Sequence, residues 1–167
     1  MSGLSIRVFT VSDTRTPQTD KSGRYIADEL ASRGHRVVGP EIVRDEVAVI
    51  REHLRQVISA AVFDVVILTG GTGVTARDVT PEAIQPLVTK DIPGFGELFR
   101  FLSYAEIGAA TIQSRAMAAL CGGTLVFALP GSTGAVRLAL EKILIAQLDV
   151  NTKPCNFAEL LPRIRGG

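Results

Sequence analysis

Val65-Val66-Ile67-Leu68-Thr69-Gly70-Gly71-Thr72-Gly73 reads as a short apolar strand that runs directly into a glycine turn, and the chain on either side repeats that design. Upstream, Val47, Ile50, Leu54, Val57, Ile58 and Ala61 mark the buried stripe of a helix, and residues 36–43 form a strand before it. Further back, Ile6-Arg7-Val8-Phe9-Thr10-Val11 is another β-branched run, ending in the polar cluster Ser12-Asp13-Thr14-Arg15-Thr16-Pro17. Between those two strands, residues 21–33 carry Ile26, Ala27, Leu30 and Ala31 on one helical face and stop at Gly34. Strand and helix alternate, which means parallel strands joined by right-handed crossovers, with helices on both sheet faces. The expected class is α/β, a three-layer αβα arrangement around a mostly parallel sheet.

Downstream, Thr80-Pro81-Glu82 combines an N-cap residue, a proline at the first helical position and an acid in the first turn, so a short helix starts there. Phe95, Leu98, Phe99 and Leu102 mark a further helix. Gly122-Gly123 separates two apolar runs with the chemistry of a two-residue hairpin, which adds one antiparallel strand. The last long helix covers residues 132–148 with apolar side chains over most of its circumference, so it is either deeply buried or subunit-facing. One domain, residues 1–150, accounts for these elements. Residues 151–167 form a polar tail expected to pack on that domain or on a neighbouring subunit.

The 167 residues are 46% hydrophobic and 21% charged, with a net charge of +1. A chain of this size buries roughly 70% of its unfolded surface, which excludes disorder as the main state. The charge balance argues against nonspecific nucleic-acid or acidic-membrane binding. No apolar run approaches the roughly 20 residues of a membrane span, and residues 1–11 lack a basic segment followed by a long apolar one. A cytoplasmic location is expected. Cys121 and Cys155 lie far from each other and from His35 and His53, so no metal-ligand spacing results; both cysteines are expected as buried thiols and both histidines as surface residues.

Ligands of an open α/β sheet collect outside the carboxyl ends of its strands. The first loop there holds Ser12, Asp13, Thr14, Arg15 and Asp20, and the second Arg44, Asp45 and Glu46. The third places three glycines in four positions, at 70, 71 and 73, where backbone amides can approach an anion closely. The fourth, Pro130-Gly131-Ser132, precedes a helix N-terminus. Neither glycine loop matches a P-loop or a dinucleotide fingerprint. Asp45 and Asp78 each follow a strand, and the two carboxylates suit Mg²⁺, which is held by one or two carboxylates together with substrate phosphates. Local sequence equally allows Asp45 to be an N-cap and Asp78 an Asx-type turn. Asp13 and Asp20 carry the same ambiguity, and Arg15, Lys21, Arg77 and Arg115 are either surface charges or partners for phosphate oxygens.

Taken together, Val11-Ser12-Asp13-Thr14-Arg15 with Asp20-Lys21-Ser22-Gly23, Arg44-Asp45-Glu46, Thr69-Gly70-Gly71-Thr72-Gly73 with Arg77-Asp78-Val79-Thr80-Pro81-Glu82, Pro93-Gly94-Phe95-Gly96-Glu97-Leu98-Phe99-Arg100 with Ser114-Arg115, and Leu129-Pro130-Gly131-Ser132 resemble the MoaB/MogA family of molybdopterin-binding proteins of molybdenum cofactor biosynthesis. The tail, with Gln147-Leu148-Asp149 and Lys153-Pro154-Cys155-Asn156-Phe157, is similar to the MoaB branch.

The resemblance implies a MogA-like fold and a homotrimer or a hexamer built from two trimers, which the apolar last helix fits. It further implies a molybdopterin adenylyltransferase, a nucleotidyltransferase using ATP and Mg²⁺ and releasing pyrophosphate. By the same resemblance Asp45 and Asp78 are catalytic and hold the metal. Gly70, Gly71, Thr72, Gly73, Pro130, Gly131 and Ser132 hold pterin phosphate and nucleotide, Ser12, Asp13 and Thr72 line the pterin pocket, and Ser114 and Arg115 bind substrate. The alternative is a noncatalytic oligomer that binds molybdopterin and passes it to other proteins of the pathway. Gly166-Gly167 is similar to the end of small sulfur carriers, but those are β-grasp domains, whereas this chain repeats strand and helix.

Overall fold

Each of the sheet's inner strands divides its side chains between two helical layers, and this alternation builds the molecule. The computed structural model describes residues 3–166; Met1 and Ser2 of the leader reading and Gly167 of the terminal pair lie outside them. The strands are β1 (Ser5–Val11), β2 (Arg36–Val43), β3 (Val65–Thr69), β4 (Lys90–Asp91), β5 (Met117–Cys121) and β6 (Thr124–Leu129), in the order β2-β1-β3-β6-β5-β4. The first four in that order are parallel, and β5 turns back antiparallel to β6 through Gly122-Gly123. The hairpin strand is not alone: β4 also pairs antiparallel, with Lys90 opposite Leu120 and Asp91 opposite Ala119. Two charged residues carry no strand pattern of their own; β4 exists because β5 offers it an edge.

The helices are α1 (Lys21–Ser32), α2 (Val47–Ala60), α3 (Thr80–Ile84), α4 (Pro93–Ile107), α5 (Thr133–Ala139), α6 (Ile145–Leu148) and α7 (Phe157–Ile164). Ile6, Val8, Val65, Ile67, Leu125 and Phe127 meet α1, α4, α5, α6 and α7 on one face of the sheet. Their sequence neighbours Phe9, Val11, Val66, Leu68, Val126 and Ala128 meet α2 and α3 on the other. The three layers therefore follow from period-two alternation, and each fully buried branched side chain adds roughly 1.5–3 kcal/mol of driving force.

A π-helical turn, Leu140–Leu144, joins α5 to α6. Val136, Leu138, Leu140, Ile143, Leu144 and Leu148 are all buried within their own domain. Of the two alternatives for this apolar helix, deeply buried or subunit-facing, these side chains follow the first. Among the described residues, five of the eight exposed large apolar side chains lie on α4 and the 3₁₀ turn after it, Leu98, Phe101, Tyr104, Ile107 and Ile112; Val38, Val62 and Val74 are scattered elsewhere. The tail packs on its own domain. Asn156 caps α7 by accepting from Glu159 N at 2.7 Å, Leu161 is buried, and Phe157 packs edge-on to Phe127.

Three smaller expectations change. Thr80 is the first residue of α3 and not its cap, because its hydroxyl donates to Gly70 O at 2.8 Å. Cys121 is buried but Cys155 is exposed. His35 and His53 are half-buried: His35 Nδ1 accepts from Leu4 N at 3.1 Å, and His53 packs edge-on to Phe9. No helix among the described residues is long and apolar enough to cross a membrane.

From β1 the chain turns towards β2, and from β3 it turns towards β6, so a crevice opens between the carboxyl ends of β1 and β3.

Candidate functional site

Four loops meet at that crevice, and most of their polar atoms hold one another. After β1, Ser12 N donates to Val43 O at 2.9 Å, while Ser12 Oγ accepts from Thr14 N and Arg15 N at 3.2 and 3.1 Å, a turn closed by a serine hydroxyl. Asp20, almost wholly buried, ends this loop as the cap of α1. Its Oδ1 accepts from Gly23 N at 2.9 Å and its Oδ2 from Thr10 Oγ1 at 2.6 Å. Arg15 Nη2 and Ser22 Oγ both donate to Gly131 O, at 2.8 and 2.9 Å, which ties the first loop to the fourth.

After β2, Asp45 N donates to Asp13 Oδ1 at 3.1 Å, and Asp13 pairs with Arg77 from the third loop. The N-cap alternative for Asp45 does not hold: Glu46 occupies that position and its side chain makes no cap bond. Asp45 Oδ1 is buried and has no hydrogen-bond partner. Such an atom is costly to leave without a partner. Burial, together with the negative charges of Asp13 and Asp78, pushes the Asp45 carboxyl above its usual range, with Arg77 working the other way. The Arg77 hydrogen bond holds Asp13 below that range.

After β3, Gly70 and Gly71 take φ values of +108° and +67°, which side chains resist. A Cβ on Gly71 would also run into Thr80 Oγ1 and come within 3.2 Å of Asp45 Oδ1, and one on Gly73 would stand 2.8 Å from Asp78 Oδ2. The two acids are thus set against one glycine loop, Asp45 beside Gly71 and Asp78 beside Gly73. Asp78 Oδ2 accepts from Thr75 N and Thr75 Oγ1 at 2.9 and 2.6 Å, and the Thr75 hydroxyl bond is the main cause of its lowered pKa. The Asx-turn alternative for Asp78 is not the one formed: its carboxylate reaches back to Thr75, three residues before it, and not to the amide two residues on.

The fourth loop abuts the third. Gly70 N donates to Leu129 O at 2.9 Å and Thr69 Oγ1 to Pro130 O at 2.8 Å, and a Cβ on Gly131 would be 3.4 Å from Gly70 Cα. Ser132 caps α5, accepting from Ala135 N at 3.3 Å. Between these loops and α4 lies a cavity of about 210 Å³ lined by Thr72, Gly73, Ser114, Pro130 and Ser132. Ser12, Asp13 and Asp45 do not line it. Larger hollows of about 640 and 430 Å³ lie beside α7 and near His35, away from the loops, and an open one of about 400 Å³ is lined by Thr75, Asp78, Glu82 and Arg115.

The Arg115 guanidinium donates to Gly73 O, to Asp78 O and to the Glu82 carboxylate. Glu82 is the participant the sequence does not single out: it reads there only as an acid in a first helical turn, 33 residues from its partner.

Metal chemistry can be tested against this donor set. Among the described residues no group of three or more His, Cys, Asp and Glu side chains could hold a metal. Two carboxylates facing one loop, one with an orphaned oxygen, fit an ion whose remaining ligands are phosphate oxygens and water.

Residues 7–150 match the family model described as "Probable molybdopterin binding domain". Molybdenum cofactor biosynthesis protein B of Escherichia coli (strain K12) is 47% identical over 152 residues, 91% of this chain and 89% of that protein. The protein of the same name from Staphylococcus carnosus is 52% identical over 150 residues, 87% of each. A crystal structure of a molybdenum cofactor biosynthesis protein B superposes with a TM-score of 0.87 at 39% identity, covering 99% of this chain and 98% of that one. With its loops, its sheet order and nearly all of its length accounted for in this way, the chain belongs to the family of molybdopterin-binding domains of molybdenum cofactor biosynthesis.

Proposed function

We propose that this chain binds molybdopterin and adenylylates it from ATP with the help of Mg²⁺. The observation that carries the reading is the buried, partnerless Oδ1 of Asp45 beside the glycine loop that also seats Asp78. In the reaction a terminal phosphate oxygen of molybdopterin forms a bond to the α-phosphorus of ATP, the α–β anhydride bond breaks, and its electron pair leaves with pyrophosphate. The attacking phosphate is already an anion, so no side chain need remove a proton; positioning and charge neutralisation suffice.

Each part of the site has a role in that task. The Gly70 amide is bonded to Leu129 O and the Gly73 amide faces the Asp78 carboxylate, so of the three glycines Gly71 offers its amide to a phosphate oxygen, and the Pro130-Gly131-Ser132 turn borders the same space. The cavity lined by Thr72, Ser114 and Ser132 takes the pterin, a flat polar ring suited to hydroxyl partners. Ser12 and Asp13 hold the far flank, Asp13 mainly by fixing the Asp45 backbone. Asp45 and Asp78 would hold Mg²⁺, which when bound supplies charge neutralisation at the transferring phosphates. The exposed apolar stripe on α4 supports a homo-oligomer, a trimer or a hexamer of two trimers, acting in the cytoplasm alongside other proteins of the pathway.

Pyrophosphate release from ATP, measured with molybdopterin and Mg²⁺, tests the reading. Release that disappears in Asp78→Ala and Asp45→Asn is the expected result. Tight molybdopterin binding with no release by the unaltered protein would establish the noncatalytic carrier instead.

A further inference from the structure

Arg115 lies just before β5 and makes an unusual number of bonds to one loop. Its backbone N donates to Thr72 O at 2.8 Å, its Nε to Gly73 O at 2.6 Å and its Nη2 to Asp78 O at 2.6 Å. Those three carbonyls bracket residues 72–78, both ends of the segment that presents Asp78. From the first turn of α3, Glu82 meets the guanidinium with both carboxylate oxygens, Oε1 on Nη1 and Oε2 on Nη2. A guanidinium has five N–H donors, and these contacts engage four of them. An incoming phosphate could take those donors only by pulling the loop apart.

We infer that Arg115, buckled by Glu82, is a positioning residue: it fixes residues 72–78 from beneath and so aims the Asp78 carboxylate at the metal, and it is not itself a phosphate ligand. This assignment rests on the proposed role of Asp45 and Asp78. The carbonyls it holds would otherwise face water, and a loop with glycines at 70, 71 and 73 has little stiffness of its own. The planar fork matters, because one ammonium group cannot span Gly73 O, Asp78 O and a bidentate carboxylate at once. Arg115→Lys should therefore be poorly tolerated despite keeping the charge. Glu82→Gln should be milder, since it leaves the carbonyl bonds in place.

The test uses full-length protein with ATP and Mn²⁺ as the paramagnetic probe, together with amide hydrogen exchange in the absence of ligand. Arg115→Lys is expected to weaken Mn²⁺ binding roughly 10- to 100-fold, the range for groups that orient a metal ligand, and to accelerate exchange at the Thr75 and Asp78 amides. Glu82→Gln should show both changes to a smaller degree, and ATP affinity in EDTA should stay within about twofold in both variants. Weakening of ATP binding in EDTA to the same extent as Mn²⁺ binding would make Arg115 a phosphate ligand and overturn the assignment. So would either of the two expected changes appearing without the other. Failure of the unaltered protein to bind Mn²⁺ with ATP is a different result: it sinks the adenylylation reading, and the positioning role with it.

Discussion

Asp20 and Asp45 occupy equivalent places, each in a loop that leaves the carboxyl end of a parallel strand and enters a helix. Their surroundings differ completely. Both oxygens of Asp20 are bonded, one to the Gly23 amide and one to the Thr10 hydroxyl. Asp45 has a buried oxygen with nothing to accept from. Burial of a carboxylate therefore says little about its purpose, and an account of its partners says much. The satisfied acid, Asp20, holds the fold together; the unsatisfied one, Asp45, leaves an oxygen open to a ligand.

Substitutions can break this contrast. Asp20→Ala should be the most damaging, removing a helix cap and stranding the Thr10 hydroxyl, for a loss of about 3 kcal/mol in a denaturant titration; a loss under about 1 kcal/mol would put the two aspartates in one class. Gly71→Ala should cost about 2 kcal/mol, from its positive φ and the collision with Thr80. It would also place a methyl group against Asp45 Oδ1, so metal binding should suffer beyond what the stability loss explains, a combination that calorimetric titration can separate. Asp45→Asn should change stability by less than about 1 kcal/mol, and in the stabilising direction, since no partner is lost and an unfavourable charge is removed; a large destabilisation would reveal a structural role.

The pH dependence sharpens the contrast by its sign. The folded Asp45 carboxyl has a raised pKa, so its contribution to stability is fully present below the ordinary carboxylate range and is lost as pH rises through the raised value. Metal-free Asp45→Asn should therefore exceed the unaltered protein in stability near neutral pH, with the difference closing on acidification towards about pH 4. Asp13, Asp78 and Glu82 have lowered values, caused mainly by Arg77, the Thr75 hydroxyl and Arg115. Their stabilisation is present above the ordinary range and falls away as pH drops, the opposite slope. Urea midpoints across this range measure both.

Much of the architecture was legible because its causes are local. Apolar runs such as residues 65–68 can only be inner strands, and the stripe from Val47 to Ile58 can only be a helix covering them. The glycine turns and the acids at positions 45 and 78 were visible for the same reason, and the resemblance grouped them. What remained hidden depends on partners distant in sequence. Asp20 and Asp45 look alike until the register of β1 brings Thr10 under the first and leaves the second alone. Arg115 reads as a surface charge or a phosphate partner until the fold carries it to Gly73, Asp78 and Glu82. Lys90 and Asp91 become a strand only because β5 lies beside them.

The π turn between α5 and α6 sets the angular phase of everything after it. It carries one more residue than an α-helical turn, so α6 is rotated by roughly 100° from where regular winding would put it. Deleting a single residue among 140–144 would let the helix wind regularly and still keep Leu148 on the sheet, because it removes the residue that the wide turn absorbs. This part of the chain should therefore accept the loss of one residue more readily than the gain of one.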